Sequence, residues 1–273
     1  MLKEEGKIAQ SDKWMWLTRG GPPGQQSVLF EYDPSRGGRV PVRLLDDFTG
    51  ILQADGYSGY GAICRQNKLI RIGCWDHALR RFVEISKSDD KKPHKGHTPL
   101  ADVAISKIDV LYRIERKLKN ATEAQRLHVR QEKSLPLLNE FKAWLESKQG
   151  KVMKDSLLYK AIRYCLNQWE HLVGYCQRGD LQISNILAEN AIRPLAIGRR
   201  NWLFADTSKG ASASAAWYSL IETAKTHDLN PQAYIQHVLE NIGTADTVEK
   251  LEQLLAWNVK LDEPAQVRTS QPS

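Results

Sequence analysis

The stretch 181–204, "LQISNILAENAIRPLAIGRRNWLF", sets a single carboxylate, Glu189, among apolar residues, asparagines and arginines. Residues four apart share a helix face, so Asn185, Glu189 and Arg193 form one polar stripe. A solvated face with a Glu–Arg pair explains such a stripe at roughly 0.2–0.5 kcal/mol. Its surroundings suggest more. Arg193, Arg199, Arg200 and Lys209 all fall within twenty residues of Glu189, a density of cations that suits a phosphate-bearing ligand. Pro194 is expected to end or kink the helix.

Composition narrows the class. The chain has 273 residues, 41% hydrophobic and 26% charged, which is ordinary for a globular protein of one large or two smaller domains. Net charge is +7, permissive for nucleic acid but no proof of it. No run of 18 apolar residues occurs, and the opening "MLKEEGKIAQ" has no apolar signal core, so neither membrane nor secretion is expected. The cysteines, Cys64, Cys74, Cys165 and Cys176, form no CxxC pair and suit buried thiols in a reducing cytoplasm. Cys74 and His77 have metal-ligand spacing, but a structural zinc needs four ligands and no second pair stands nearby.

Along the chain, strands come first. "KWMWLT" and "SVLFEY" flank the turn "RGGPPG". "ILQADGY" is a short apolar run ending in Asp55 before Gly56, and "LIRIGCW" (69–75) is another strand, followed by an amphipathic helix in "DHALRRFVEISK". The polar stretch 88–99 reads as a surface loop. Three helical stripes follow: Ala104, Ile108, Leu111, Ile114 and Leu118; then Leu137 to Leu145 after Pro136; then Leu158, Ile162, Leu166, Trp169 and Val173. They predict an all-helical subdomain over 99–178. Further helices are expected near 211–227, 231–242 and 246–257, with a disordered polar tail.

Asp55 stands at a strand end before a glycine, where an open sheet presents chemistry, although Asp-Gly is also an ordinary turn dipeptide. A strand-end aspartate and a helix-borne glutamate, brought together across a helical insertion, could hold divalent ions. Two such ions about 3.5–4 Å apart clamp the attacking and leaving oxygens of a phosphoryl transfer. Sparse carboxylates beside arginines suit Mg²⁺.

Three blocks, "LLDDFTGILQADGYSGY", "CWDHALRRF" and "AENAIRPLAIGRRNWLF…YSLIETAK", resemble the transposases of the insertion-sequence sixty-six family, over about residues 13–257. The resemblance implies an RNase H-like mixed α/β sheet with flanking helices, interrupted by an all-helical insertion and followed by a helical C-terminal extension. The corresponding segments are 1–88, 89–178, 179–228 and 229–273. It also implies an Asp-Asp-Glu triad that binds two Mg²⁺ ions to cut and join DNA ends, with Asp55 as its second aspartate and Glu189 as its glutamate. Asn185, Arg193, Arg199, Arg200, Asn201 and Trp202 match the block around that glutamate. Arg193, Arg199, Arg200 and Lys209 are then candidates for DNA contact, and His77 and Asn185 for donors to a phosphate. Partners would be transposon ends, target DNA and further transposase subunits, in a bacterial cytoplasm.

Two departures qualify the expectation. The family's first aspartate lies in an Asp-Glu-Thr block upstream of the segment equivalent to "LKEEGKIAQSDKWMWL", and the chain opens at Met1 there. Asp12 and Asp33 sit in no such block. The second departure is Ile186, where the family often has asparagine. A truncated transposase with impaired catalysis is therefore expected. The alternative is a non-catalytic DNA-binding or regulatory remnant. His77 could equally cap or pack at a helix start, and Trp75 and Trp202 read as core rather than base-stacking residues.

Overall fold

The computed structural model describes residues 14–89, 98–198 and 207–261. The tail from 262 onward, Asp12, most of the 88–99 loop, and Arg199, Arg200, Asn201 and Trp202 fall outside these residues. The elements in chain order are β1 (Trp14–Gly20), β2 (Ser27–Asp33), α1 (Arg39–Leu44), β3 (Ile51–Gln53), α2 (Gly61–Gln66), β4 (Ile70–Ile72) and α3 (Trp75–Asp89). Then come α4 (Leu100–Lys117), α5 (Glu123–Val129), α6 (Leu135–Gln149), α7 (Leu157–Asn167), α8 (Trp169–Val173), α9 (Ile186–Gly198), α10 (Ser208–Thr226), α11 (Pro231–Ile242) and α12 (Val248–Gln253). The architecture is mixed α/β and mostly helical.

The two apolar-alternating segments form the expected hairpin. β1 and β2 pair antiparallel, Trp14 opposite Asp33 and Gly20 opposite Ser27. β3 and β4 pair in parallel, Ile51 opposite Ile70. The second strand is shorter than its sequence run, because Trp75 already begins α3. The described strands therefore form two separate two-stranded sheets, not one mixed sheet.

By compactness the chain divides into two units, one of Met1–Arg36 with Leu187–Ser273 and one of Gly37–Ile186. In the second unit the helical stripes become the core. Ile72, Trp75 and Phe82 pack with Ala104, Ile108, Leu111, Leu138, Phe141, Ile162 and Trp169. Trp75, fully buried, meets Trp169 edge-on at 6.1 Å and donates its indole N–H to the Leu172 carbonyl at 2.8 Å. Its expected core role is met.

Pro136 lies inside a helix that runs on from α5. Residues 130–134 form a π-helical turn directly before α6. Such a turn re-routes backbone bonds where proline offers no N–H. Pro194 likewise does not end its helix, since α9 continues to Gly198.

In the first unit, α10 lies along β2. The Val28 N–H donates to the Thr223 hydroxyl at 3.0 Å, which donates in turn to the Val28 carbonyl at 3.1 Å. The Phe30 N–H donates to the Ser219 hydroxyl at 2.8 Å. Val28, Phe30, Ala191, Ala215 and Tyr218 form the core beneath. The expected C-terminal helices are all present.

Candidate active site

Asp55 follows the carboxyl end of β3, two residues past Gln53. Its carboxylate is held by its own turn, because the Tyr57 N–H donates to Oδ1 at 3.0 Å. Arg71, from the neighbouring strand β4, donates through Nη2 to the carbonyls of Asp55 and Tyr57, the latter at 3.0 Å. Gly56 leaves room for Tyr164 on α7: a Cβ there would lie 2.5 Å from its Cε2. Asp55 is therefore an oriented carboxylate, half-buried, with one oxygen tied to backbone.

The carboxyl ends of β3 and β4 also fix the approach to α9. Gln53 donates to the carbonyls of Gly73 at 3.3 Å and Gln182 at 2.8 Å, and the Trp75 N–H donates to the Ile183 carbonyl at 3.1 Å. The Asn185 N–H reaches the Cys74 sulfur at 3.5 Å. The backbone amides of Asp76 and His77 also face that sulfur, and burial, the largest influence, pushes the Cys74 thiol up. His77 and Asn185 are thus brought to the start of α3, beside one thiol. The side-chain oxygen Oδ1 of Asn185 is buried with no hydrogen-bond partner among the described residues.

Glu189 belongs to the other unit. It stands in the first turn of α9, where a carboxylate complements the helix dipole, and Arg193 follows one turn later. Arg193 and Lys209 are exposed, Lys209 near the start of α10 behind the Thr207 cap. Among the described residues no three His, Cys, Asp or Glu side chains gather as a metal cluster. Asp33, the other acid weighed from sequence, accepts from the Ser35 N–H at 2.8 Å in a local turn.

Sequence reasoning missed Arg71, Tyr164 and Arg81 around Asp55. Arg71 carried a signal, a lone cation inside the apolar run "LIRIGCW". Tyr164 carried none, because it falls between Ile162 and Leu166 of a helical segment that reads as core.

Asp55 thus stands where a strand runs into a turn, and His77 where the neighbouring strand runs into a helix. The family described as "Transposase IS66 family" matches residues 1–213, and the "IS66 C-terminal element" matches residues 219–257. The chain belongs to the IS66 transposase family. Among its relatives are three proteins of Sinorhizobium fredii (strain NBRC 101917 / NGR234). "Uncharacterized protein y4hP" is 32% identical over 95% of this chain and 49% of its own length. "Uncharacterized protein y4jD" is 31% identical over 89% and 48%, and "Uncharacterized protein y4qI" 31% over 94% and 48%. The chain thus spans about half the length of the curated relatives it matches. No solved structure matches it.

Proposed function

We propose that these residues form part of a metal-dependent DNA transposase, with Asp55 and Glu189 as two of its catalytic carboxylates and an RNase H-like core beneath them. The observation that carries the reading is the Asp55 turn: a carboxylate at the carboxyl end of a parallel strand pair, with Oδ1 anchored by Tyr57 N–H. An anchored carboxylate with a second oxygen to offer fits a hard divalent cation such as Mg²⁺. Glu189 would be the second ligand. When bound, two such ions would activate the attacking oxygen and neutralise the leaving one.

The residues of this chain would do the rest. The Asp55 turn holds its oxygen in one direction before any ligand arrives, which lowers the cost of assembling the site. Arg193, Arg199, Arg200 and Lys209 would hold DNA by its phosphates, and His77 or Asn185 would donate to a phosphate oxygen. Asp55 and Glu189 would be two of three triad carboxylates, and these 273 residues by themselves are proposed to cut poorly. The whole transposase acts as an assembly of subunits on transposon ends and target DNA.

The test is Mg²⁺-dependent nicking of a labelled transposon end by this chain and by a form extended upstream with the Asp-Glu-Thr block. The extended form should cut, and Asp55→Ala or Glu189→Ala should reduce cutting to background. DNA binding by either form should weaken linearly in log K against log salt, as counterion release requires. Binding with no cutting in the extended form would favour the regulatory reading, and equal cutting by both forms would overturn the need for the upstream aspartate.

A further inference from the structure

Tyr164 belongs to α7, within the helical segment that separates Asp55 from Glu189 in sequence, yet its ring lies against the Asp55 turn. A Cβ on Gly56 would stand 2.5 Å from its Cε2 and 3.1 Å from both Cζ and the hydroxyl oxygen. The Arg81 guanidinium, from α3, sits over the same ring, 4.0 Å from its centroid. An aromatic face attracts a cation there, and the contact stiffens both side chains. Burial raises the hydroxyl's pKa, with Arg81 and the Gly56 N–H opposing, so it stays protonated at neutral pH. On the strand side, Arg71 binds the carbonyls of Asp55 and Tyr57, and the Tyr57 N–H binds Asp55 Oδ1.

The three residues Asp55–Tyr57 are therefore supported from β4, α3 and α7 together. We propose that Tyr164 is a positioning residue for Asp55: its ring, braced by Arg81, sets the Gly56 backbone and through it the direction of the carboxylate. The helical segment then takes part in the site instead of merely interrupting the core. The consequence for metal binding rests on the proposed role of Asp55; the conformational part does not.

The Tyr57 amide reports on the carboxylate directly, since it donates to Oδ1. Its hydrogen exchange, followed by NMR in the 273-residue chain, should quicken about tenfold in Tyr164→Ala, the size of one net hydrogen bond lost. Tyr164→Phe keeps the ring and should restore slow exchange. Gly56→Ala should quicken it too, since the added Cβ strikes the ring, and adding Gly56→Ala to Tyr164→Ala should have little further effect, because the ring that the Cβ would strike is already gone. Mn²⁺ binding, read by paramagnetic broadening of the Gly56 and Tyr57 amides, should weaken several-fold in Tyr164→Ala and recover in Tyr164→Phe.

Unchanged Tyr57 exchange in Tyr164→Ala, or fully additive effects of the two substitutions, overturns the proposal. Quickened exchange with unaltered Mn²⁺ affinity overturns the positioning role and leaves the metal reading standing. If Mn²⁺ broadens neither amide in the unsubstituted chain while exchange responds as expected, the metal reading of Asp55 fails and the support of the turn stands.

Discussion

Arg130 is nearly fully buried, and its guanidinium is used on every side. It pairs with both oxygens of Glu115 at 2.9 and 2.6 Å and donates to the carbonyls of Tyr175, Arg178 and Leu181. Those carbonyls belong to the segment leading to Asn185, so one side chain shapes the approach to α9. Arg130→Met should cost about 3–5 kcal/mol in urea denaturation, because a carboxylate and three carbonyls lose their partner. Lysine cannot match the fork geometry and should rescue little.

The buried thiols give a pH dependence. Burial pushes Cys165 from its ordinary 9.0 up to about 12 and Cys176 up to about 11. The unfolded chain ionises these thiols near pH 9, while the folded chain keeps them protonated. Their contribution to stability is thus whole below pH 9 and is lost as pH climbs toward 11 and 12. Denaturation midpoints should fall between about pH 8 and pH 10.5, and Cys165→Ala should flatten that fall; an equal slope in the variant would refute the assignment.

At the scale of elements, the pairing of α10 with β2 does what a third strand would do. Ser219 and Thr223, one helical turn apart, meet the backbone of Phe30 and Val28, two residues apart on the strand. An uncovered edge would offer these groups to other chains. Thr223→Val should destabilise the protein by about 1–3 kcal/mol, since it strands the buried Val28 amide, and should promote aggregation on heating. Thr223→Ser should retain most of the stability. Calorimetry and light scattering together separate these outcomes.

Elements differed in how plainly the sequence announced them. The stripe from Ala104 to Leu118 was legible because burial on one face repeats at helical spacing. The length of β4 was not, since the apolar run through Trp75 continues into a helix whose first residue is itself core. The helix runs on past Pro194 because Ala191, Ile192 and Leu195 are held by tertiary packing, which isolated-helix propensity leaves out. The stripe expected around Glu189 loses its first member, since Asn185 precedes α9 and its side-chain oxygen is buried, whereas Asp55 could be singled out by its strand-end place. Tyr164 could not, because a helical tyrosine among apolar residues looks the same whether it meets core or a distant turn.

Across the whole molecule, the unit Gly37–Ile186 is one continuous stretch, and its core closes on its own residues. Expressed alone, residues 37–186 should fold and melt cooperatively, with Trp75 fluorescence shielded from a soluble quencher. Full quencher access would show that this core depends on the remaining chain.

The other unit joins the first residues of the chain to the last third, and this bears on synthesis. The β1–β2 hairpin leaves the ribosome early, but its covering hydroxyl at Thr223 lies 195 positions after Val28. At roughly 5–20 residues per second, the hairpin waits on the order of 10–40 s with its edge open. A two-stranded hairpin is marginal in water, so it spends that interval partly unformed. Residues 37–186 can complete their fold during the wait, so the nascent hairpin stays open to a chaperone after its neighbours have closed.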